Sequence, residues 1–389
     1  MNKIKSIYLD ILRIISAFYV FLYHFMTYKN GEILTFSNTT VSNYINLQYL
    51  PAHYFVIVFF VLSGYLITMS ASKPNLSVRK FMIARLGRLY SVLVPSLLFS
   101  YLVYFYLNYF TRYNAHLNEH SNHLITRFFV NLVFLSQCWS LSSTPPINNP
   151  FWSVDYEFIY YIIIASLLLI KGSSKYIALF ICVAVAGFKI LLLAPCWLLG
   201  SLLFKLDSRK VYFNNLLSLI IFMISSFLIV QIVSGAYIIP FTKLSGDQIF
   251  LGQILYFSWN FRADYIFSLL ISLNLYAAFG LSQFLTRFSK TKFINFIQPP
   301  IQFVSNCTYT LYLFHFPLLL LFSSFWFYDN NNIYHLIGLM FSVLAAVVLI
   351  AKQTEFKVSI WRIWVEKFIL PVEAIFLKAK KSINLLGRS

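Results

Sequence analysis

The chain has 389 residues, 59% of them apolar and 11% charged, with a mean hydropathy of +0.73. A soluble globular chain is typically about 25% charged and about half apolar, so a soluble enzyme, a disordered protein and a coiled coil are excluded and a polytopic membrane protein remains. The net charge of +18 would suggest nucleic acid in a soluble domain. Here the basic residues are scattered between apolar runs, as the positive-inside bias of cytoplasmic loops requires, and no nucleic-acid partner is expected.

Apolar runs long enough to cross a bilayer, about 20 residues for a helix, fall at roughly 7–26, 50–70, 89–110, 152–170, 214–235, 265–286, 301–326 and 333–351. No cleavable signal peptide is expected, because the first run contains Asp10, Arg13 and His24 and lacks a small-residue cleavage site. The stretch from Tyr176 to Leu206 is too long for one comfortable span and holds Pro195. Charge decides its path. With Lys3 and Lys5 cytoplasmic, the loop carrying Lys73, Arg79, Lys80, Arg85 and Arg88 is also inside, as are the turns with Lys171 and Lys175 and with Lys205, Arg209 and Lys210. Two inside loops need an even number of crossings between them, which predicts a pair of short helices turning near Pro195.

Arg287, Lys290 and Lys292 then lie inside, the Asp329–Asn332 turn outside, and the basic tail from Lys352 inside. About 23 of the 30 basic residues fall on the inner side. The expected fold is all-α: an integral membrane protein of about ten transmembrane helices with both termini cytoplasmic, a membrane domain over 1–370 and a basic cytoplasmic tail over 371–389. The outer segments, about 111–151 and 236–264, are too short and apolar to fold far from the bilayer. No internal repeat is visible, which weakens a transporter built from inverted halves. Cys138, Cys182, Cys196 and Cys307 have no metal-like spacing and read as apolar fillers, and no metal is expected.

Ionisable groups inside spans cost about 2.5–3.5 kcal/mol each on insertion scales, so they call for explanation. Arg13 and His24 are eleven residues apart on the first span, about three helical turns, which places them on one face roughly 16 Å apart along the axis. Asp10 can pair with Arg13 from three residues before it. Either these two residues serve one site, or Arg13 snorkels to the inner surface and His24 bonds a neighbouring helix.

The segment Phe151-Trp152-Ser153-Val154-Asp155-Tyr156-Glu157 opens the fourth span. Asp155 and Glu157 are about 200° apart around a helix, so one can cap its start while the other is satisfied inside the bundle. Glu157 is the better functional candidate, as an acid able to orient a histidine; the alternative is an interfacial pair. Thr308, Tyr312 and His315 make a polar stripe at i, i+4, i+7, which suits either a site or interhelical glue. Ser63-Gly64 suits close helix packing more readily than chemistry. The Arg79, Lys80, Arg85 and Arg88 patch suits topology signalling or anionic lipid, or capture of a phosphorylated ligand, since Arg geometry matches phosphate oxygens. By depth, His24, His53, Glu157 and His315 map to the outer half, and Arg13, Arg85 and Arg88 to the inner half.

Together these pieces resemble the acyltransferase family 3 membrane proteins, which O-acylate sugars of bacterial surface polysaccharides and some small molecules. The matching residues are Asp10 with the Arg13-x10-His24 spacing, the Phe59-to-Tyr65 stretch with Ser63-Gly64, Arg85 and Arg88, Trp152-Ser153-x-x-x-Glu157, and Tyr309-x-x-Tyr312-x-x-His315-x-Pro317. Glu355 resembles the acidic residue that closes many members. Val154 stands where Leu is usual, and Ser91 where a Pro often follows. Many members carry an appended esterase-like domain, and none is expected in this chain.

The resemblance implies transfer of an acyl group, with acetyl expected, from acetyl-CoA or another cytosolic acyl-CoA to a glycan or glycolipid hydroxyl at the bacterial plasma membrane. A sugar hydroxyl is a weak nucleophile at neutral pH, so a base must take its proton. His24 is the expected base with Glu157 orienting it. By resemblance Arg13 binds the donor and Arg85 and Arg88 draw in its phosphates, with Ser63 and Gly64 beside them. Ser63 is a conceivable nucleophile, but its depth differs from that of His24 and direct transfer is expected. Asp10, His53, Trp152, Ser153, Asp155, Tyr309, Tyr312 and His315 are expected to line or support the site. The alternatives are a transporter or flippase for a lipid-linked or charged solute, whose buried ions would line a pathway, and a polysaccharide polymerase, for which the outer 111–151 segment is modest.

Overall fold

The computed structural model describes residues 2–29, 32–33, 52–110, 122–235, 254–285, 292–325 and 332–368. Arg287, Lys290, most of the Asp329–Asn332 turn and the basic tail over 371–389 lie outside the described residues. The helices, in chain order, are α1 (Lys3–Thr27), α2 (Ala52–Ala71), α3 (Val78–Phe110), α4 (Leu124–Leu132), α5 (Trp152–Leu169), α6 (Ser174–Ser208), α7 (Asn215–Val233), α8 (Phe261–Phe284), α9 (Lys292–Ser305), α10 (Thr308–Phe325) and α11 (Ile333–Gln353). A two-residue ladder pairs Tyr28–Lys29 with Glu32–Ile33. Among the described residues, nine helical segments are long and apolar enough to cross a membrane.

Sequence dictates which helices lie in the middle. Helix α2 is apolar on every side, so it is buried on every side. Its Gly64 meets Gly200 of α6 in a close crossing: a Cβ on Gly64 would lie 2.0 Å from the Trp197 carbonyl oxygen, and one on Gly200 would lie 1.9 Å from that of Val61. Helix α7 shows the opposite arrangement. It buries Ser218 and Ser225 and exposes Leu216, Met223 and Phe227, while Asn274 of α8 donates to Ser225 and Ser226. With hydrocarbon outside, polar side chains supply the interhelical bonds.

Helix α6 breaks at Gly187, at φ +74° and ψ 176°, not near Pro195, which lies within the second half. Positive φ is readily available only to glycine, and the backbone of Trp139 packs where a Cβ would be, 2.6 Å away. The two halves run in opposite directions. Ser174 starts where α5 has just ended, Lys189 donates to the Leu141 carbonyl at the end where α5 begins, and Asp207 is back beside Lys5 and Tyr65. The predicted double crossing is therefore present with its turn eight residues early, and among the described residues the long apolar helices make ten passages. At one end of the bundle the start of α1 bonds α9 through Lys3 and Asn295, and the Thr354 hydroxyl that follows α11 meets Thr310 of α10.

Residues 122–151, ahead of α5, dip into the bundle and bury Asn131, Ser136, Gln137, Thr144 and Asn148. Pro317 has no N–H for the Leu313 carbonyl of α10. Ser96 and Asn148 donate to that carbonyl instead, at 2.7 and 2.9 Å. Asp155 does not cap α5; it accepts from Ser136 Oγ at 2.8 Å and the Gln137 N–H at 2.9 Å, anchoring this segment. The apolar run at 301–326 is split, with α9 ending at Ser305 and α10 starting at Thr308. Glu355 accepts the Thr310 N–H at 3.1 Å, so a carboxylate satisfies the positive end of α10.

Candidate active site

Helices α1, α2, α3, α5 and α10 enclose a cavity of about 100 Å³. Periodicity explains its lining. Ser153, Glu157 and Tyr161 fall at i, i+4 and i+8 of α5, Arg85 and Arg88 at i and i+3 of α3, and Thr308, Tyr309 and Tyr312 on one side of α10. Helix α2 contributes Ser63 among the apolar side chains Val56, Phe59, Phe60 and Leu66, and α1 contributes Arg13.

Three guanidinium groups so close within a membrane interior need compensation. Asp10 lies 4.0 Å from Arg13 and is itself held by the Ser305 hydroxyl at 2.8 Å. Glu355 acts on both Arg88 and Arg13. Glu157, on the cavity wall, accepts from the Ser63 hydroxyl at 3.2 Å and from the Tyr161 hydroxyl, and Ser63 in turn accepts from Trp197 Nε1 at 3.2 Å. Arg85 donates to Ser70 at 2.5 Å. Two buried lining atoms, Arg85 Nε and Tyr309 Oη, have no protein partner, which suits a cavity that takes a polar ligand.

His24 is not among the residues that line this cavity. Its ring centroid is 5.2 Å from that of His315 and 5.1 Å from Phe316, both on α10. His315 is fully buried. Its Nδ1 donates to the Leu311 carbonyl at 2.9 Å, which leaves Nε2 as the acceptor nitrogen, and Nε2 is buried without a partner. Arg13 and His24 thus occupy the two ends of α1's site-facing side, as their spacing predicts.

Two expectations are corrected. Glu157 belongs with the guanidinium groups and is held by Ser63 and Tyr161, not by His24, because α5 starts inside the bundle: Asn148, Pro150 and Phe151 ahead of it are already buried. Gly64 faces the α6 backbone rather than the cavity, one residue from Ser63, which lines it. Of the supporting residues, Ser153, Tyr309 and Tyr312 line the cavity, and Asp10 braces Arg13. His53 lies elsewhere, with Nε2 3.0 Å from Asp264 and its ring stacked on Trp152. Trp152 stacks in turn on Phe257 at 4.8 Å. Burial pushes the Cys138 thiol up to about 12, so it is protonated at neutral pH and unsuited to nucleophilic chemistry.

Sequence reasoning missed Tyr161, Arg362 and Asp264. Tyr161 was recoverable from its i+4 spacing to Glu157. Arg362 lies in residues 358–368, beyond the last apolar run; it reaches α3 because Gly87 has no Cβ, which would sit 2.6 Å from Arg362 Cγ, and its charge acts on Arg85. Asp264 had no signal beyond being an acid near a span.

An acyltransferase-domain family matches residues 6–352. The chain belongs to that family. The match runs from the first helix to the end of α11, so all five helices around the cavity fall within the family domain. A protein of Shigella phage Sf6 named O-acetyl transferase is 34% identical over 114 residues, 28% of this chain and 32% of that protein. The shared region is thus about a third of that relative's length. No solved structure matches.

Proposed function

We propose that this protein is a membrane O-acyltransferase that moves an acyl group, acetyl being the expected one, from a cytosolic acyl-CoA to a hydroxyl of a cell-surface polysaccharide or its lipid-linked precursor. The reading places it in a bacterial plasma membrane. Family membership supports acyl transfer, and the phage relative's name supports acetyl and oxygen. The observation that carries the reading is the juxtaposition of a cavity with three guanidinium groups and orphaned donors to an imidazole pair one helical turn farther along α10.

In this reading Arg13, Arg85 and Arg88 hold the anionic donor, Arg groups being suited to phosphate oxygens. The cavity takes the thioester end, and the nucleotide stays at its mouth. His24 removes the acceptor hydroxyl proton as the oxygen attacks the thioester carbon. The C–S bond then breaks, the departing sulfur takes the proton from the His24 imidazolium, and coenzyme A leaves as the thiol. His315 fixes the His24 ring; its own orientation is set by Leu311.

The test is mass spectrometry of surface glycans from cells carrying the wild type, His24→Ala, or neither. Loss of O-acylation in His24→Ala, with the protein inserted and the glycan still made and exported, supports the reading. Normal acylation in that variant removes His24 as the base. Solute flux with no need for a CoA thioester would favour transport instead.

A further inference from the structure

The cavity stops one turn short of the histidine pair, and what closes it is specific. Along α10, Thr308, Tyr309 and Tyr312 line the space, whereas His315 does not. The Tyr312 hydroxyl is tied across the cavity to Ser153 Oγ of α5 at 2.8 Å. From α2, Phe59 stands edge-on to the same ring, with centroids 5.9 Å apart. Tyr312 is buried, and its far side looks toward His315, ring to ring at 6.5 Å. A phenol hydrogen-bonded at its tip and braced by a second aromatic ring gives the histidine-facing end of the cavity a stiff wall.

We propose that Tyr312, pinned by Ser153 and braced by Phe59, is the residue that sets the length of acyl chain this protein accepts. The proposal rests on the acyltransferase reading above. A thioester anchored by its phosphates at the Arg end brings its acyl group up against this ring. A two-carbon group stops beside this wall, close to the histidines. Each further methylene has to displace Tyr312 or pull the phosphates off the arginines. A pocket of fixed depth discriminates by about tenfold or more per methylene, so the wild type is a short-chain enzyme by construction. Removing the ring lengthens the cavity toward His315.

The test is a donor-length series. Full-length protein in detergent or nanodiscs is given acetyl-, propionyl-, butyryl- and hexanoyl-CoA with membranes bearing acceptor glycan, and thiol release and acylated glycan are both measured. The wild type is expected to fall steeply beyond propionyl. Tyr312→Ala is expected to shift the butyryl-to-acetyl ratio of kcat/KM upward by at least about tenfold, and Tyr312→Phe, which keeps the ring and loses only the Ser153 bond, to keep most of the wild-type selectivity. Phe59→Ala provides a second route to the same loosening if Tyr312→Ala does not fold, and a raised butyryl ratio there supports the proposal equally. Equal use of acetyl and butyryl by the wild type, or an unchanged ratio in whichever of Tyr312→Ala and Phe59→Ala folds, overturns the gauge while leaving the acyltransferase reading intact. No turnover of any thioester by a folded wild type overturns both.

Discussion

The ring of His315 lies 5.2 Å from that of His24, and its Nδ1–H is committed to the Leu311 carbonyl one turn back on α10. A second ring packed this close limits where the His24 nitrogens can point. His24→Ala is expected to reduce acyl transfer by about 10²–10⁴-fold. His315→Ala frees the His24 ring and is expected to lower kcat by about 10²-fold, the loss that follows a small misplacement of a catalytic group. The donor KM should stay near wild type in both, because neither residue lines the donor cavity. Stopped-time assays across donor concentration separate kcat from KM; a change confined to KM in His315→Ala would falsify the positioning role.

Arg13 tests the other end of α1. It is braced by Asp10 and within the field of Glu355, and it lines the cavity. Arg13→Lys keeps the charge but loses the planar fork that meets phosphate oxygens in pairs. The expected result is a donor KM raised about tenfold, equal to about 1.4 kcal/mol of binding, with kcat within a few-fold of wild type. Isothermal titration with coenzyme A alone, compared between wild type and Arg13→Lys, reads the same loss without turnover.

Membrane architecture was legible because composition and charge act over whole segments: the even crossing number between Lys175 and Lys205 follows from charge alone. The position of the turn was not, because Pro195 is tolerated inside a helix whose neighbours accommodate it, whereas Gly187 takes a positive φ with the Trp139 backbone packed against it. The Arg13 to His24 spacing on one helix was readable from helical geometry. The depth of Glu157 was not, because it depends on how far the segment ending at Phe151 dips into the bundle, and that is fixed by long-range bonds such as Asn148 to Leu313. Asp264 escaped because its partner, His53, is more than two hundred residues away in the chain.

The crossing of α2 and α6 offers a packing test with an internal control. A Cβ on Gly64 would sit 2.0 Å from the Trp197 carbonyl oxygen, which is backbone and cannot rotate away. Gly64→Ala is expected to cost about 1–3 kcal/mol or more through forced separation of the helices. Gly338→Ala, on the exposed side of α11 with nothing within 4 Å of its Cβ, is expected to be neutral or slightly stabilising, since alanine is the better helix former. Thermal denaturation of both variants in the same detergent gives the comparison. Equal melting temperatures would mean that α2 and α6 do not cross at Gly64 as described.

Asp207 supplies a final, independent measurement at the end of the bundle where α1 starts. Its carboxylate takes the Lys5 ammonium at 2.5 Å, the Tyr65 hydroxyl at 2.6 Å and the Tyr212 hydroxyl at 2.5 Å, fastening the starts of α1 and α7 to the ends of α2 and α6. Lys5 is only 5% exposed and also lies 4.6 Å from the Phe279 ring centroid. Asp207→Asn keeps the shape and removes the charge, leaving a buried ammonium unpaired, which typically costs about 3–5 kcal/mol. The Lys5→Met, Asp207→Leu double variant removes both charges and should recover part of that loss, because an apolar pair of similar volume often matches a buried ion pair. None of these residues lines the cavity, so donor turnover per folded molecule is expected to survive all three substitutions while the melting temperature of Asp207→Asn falls. A fall in turnover at unchanged stability would instead tie this carboxylate to the site.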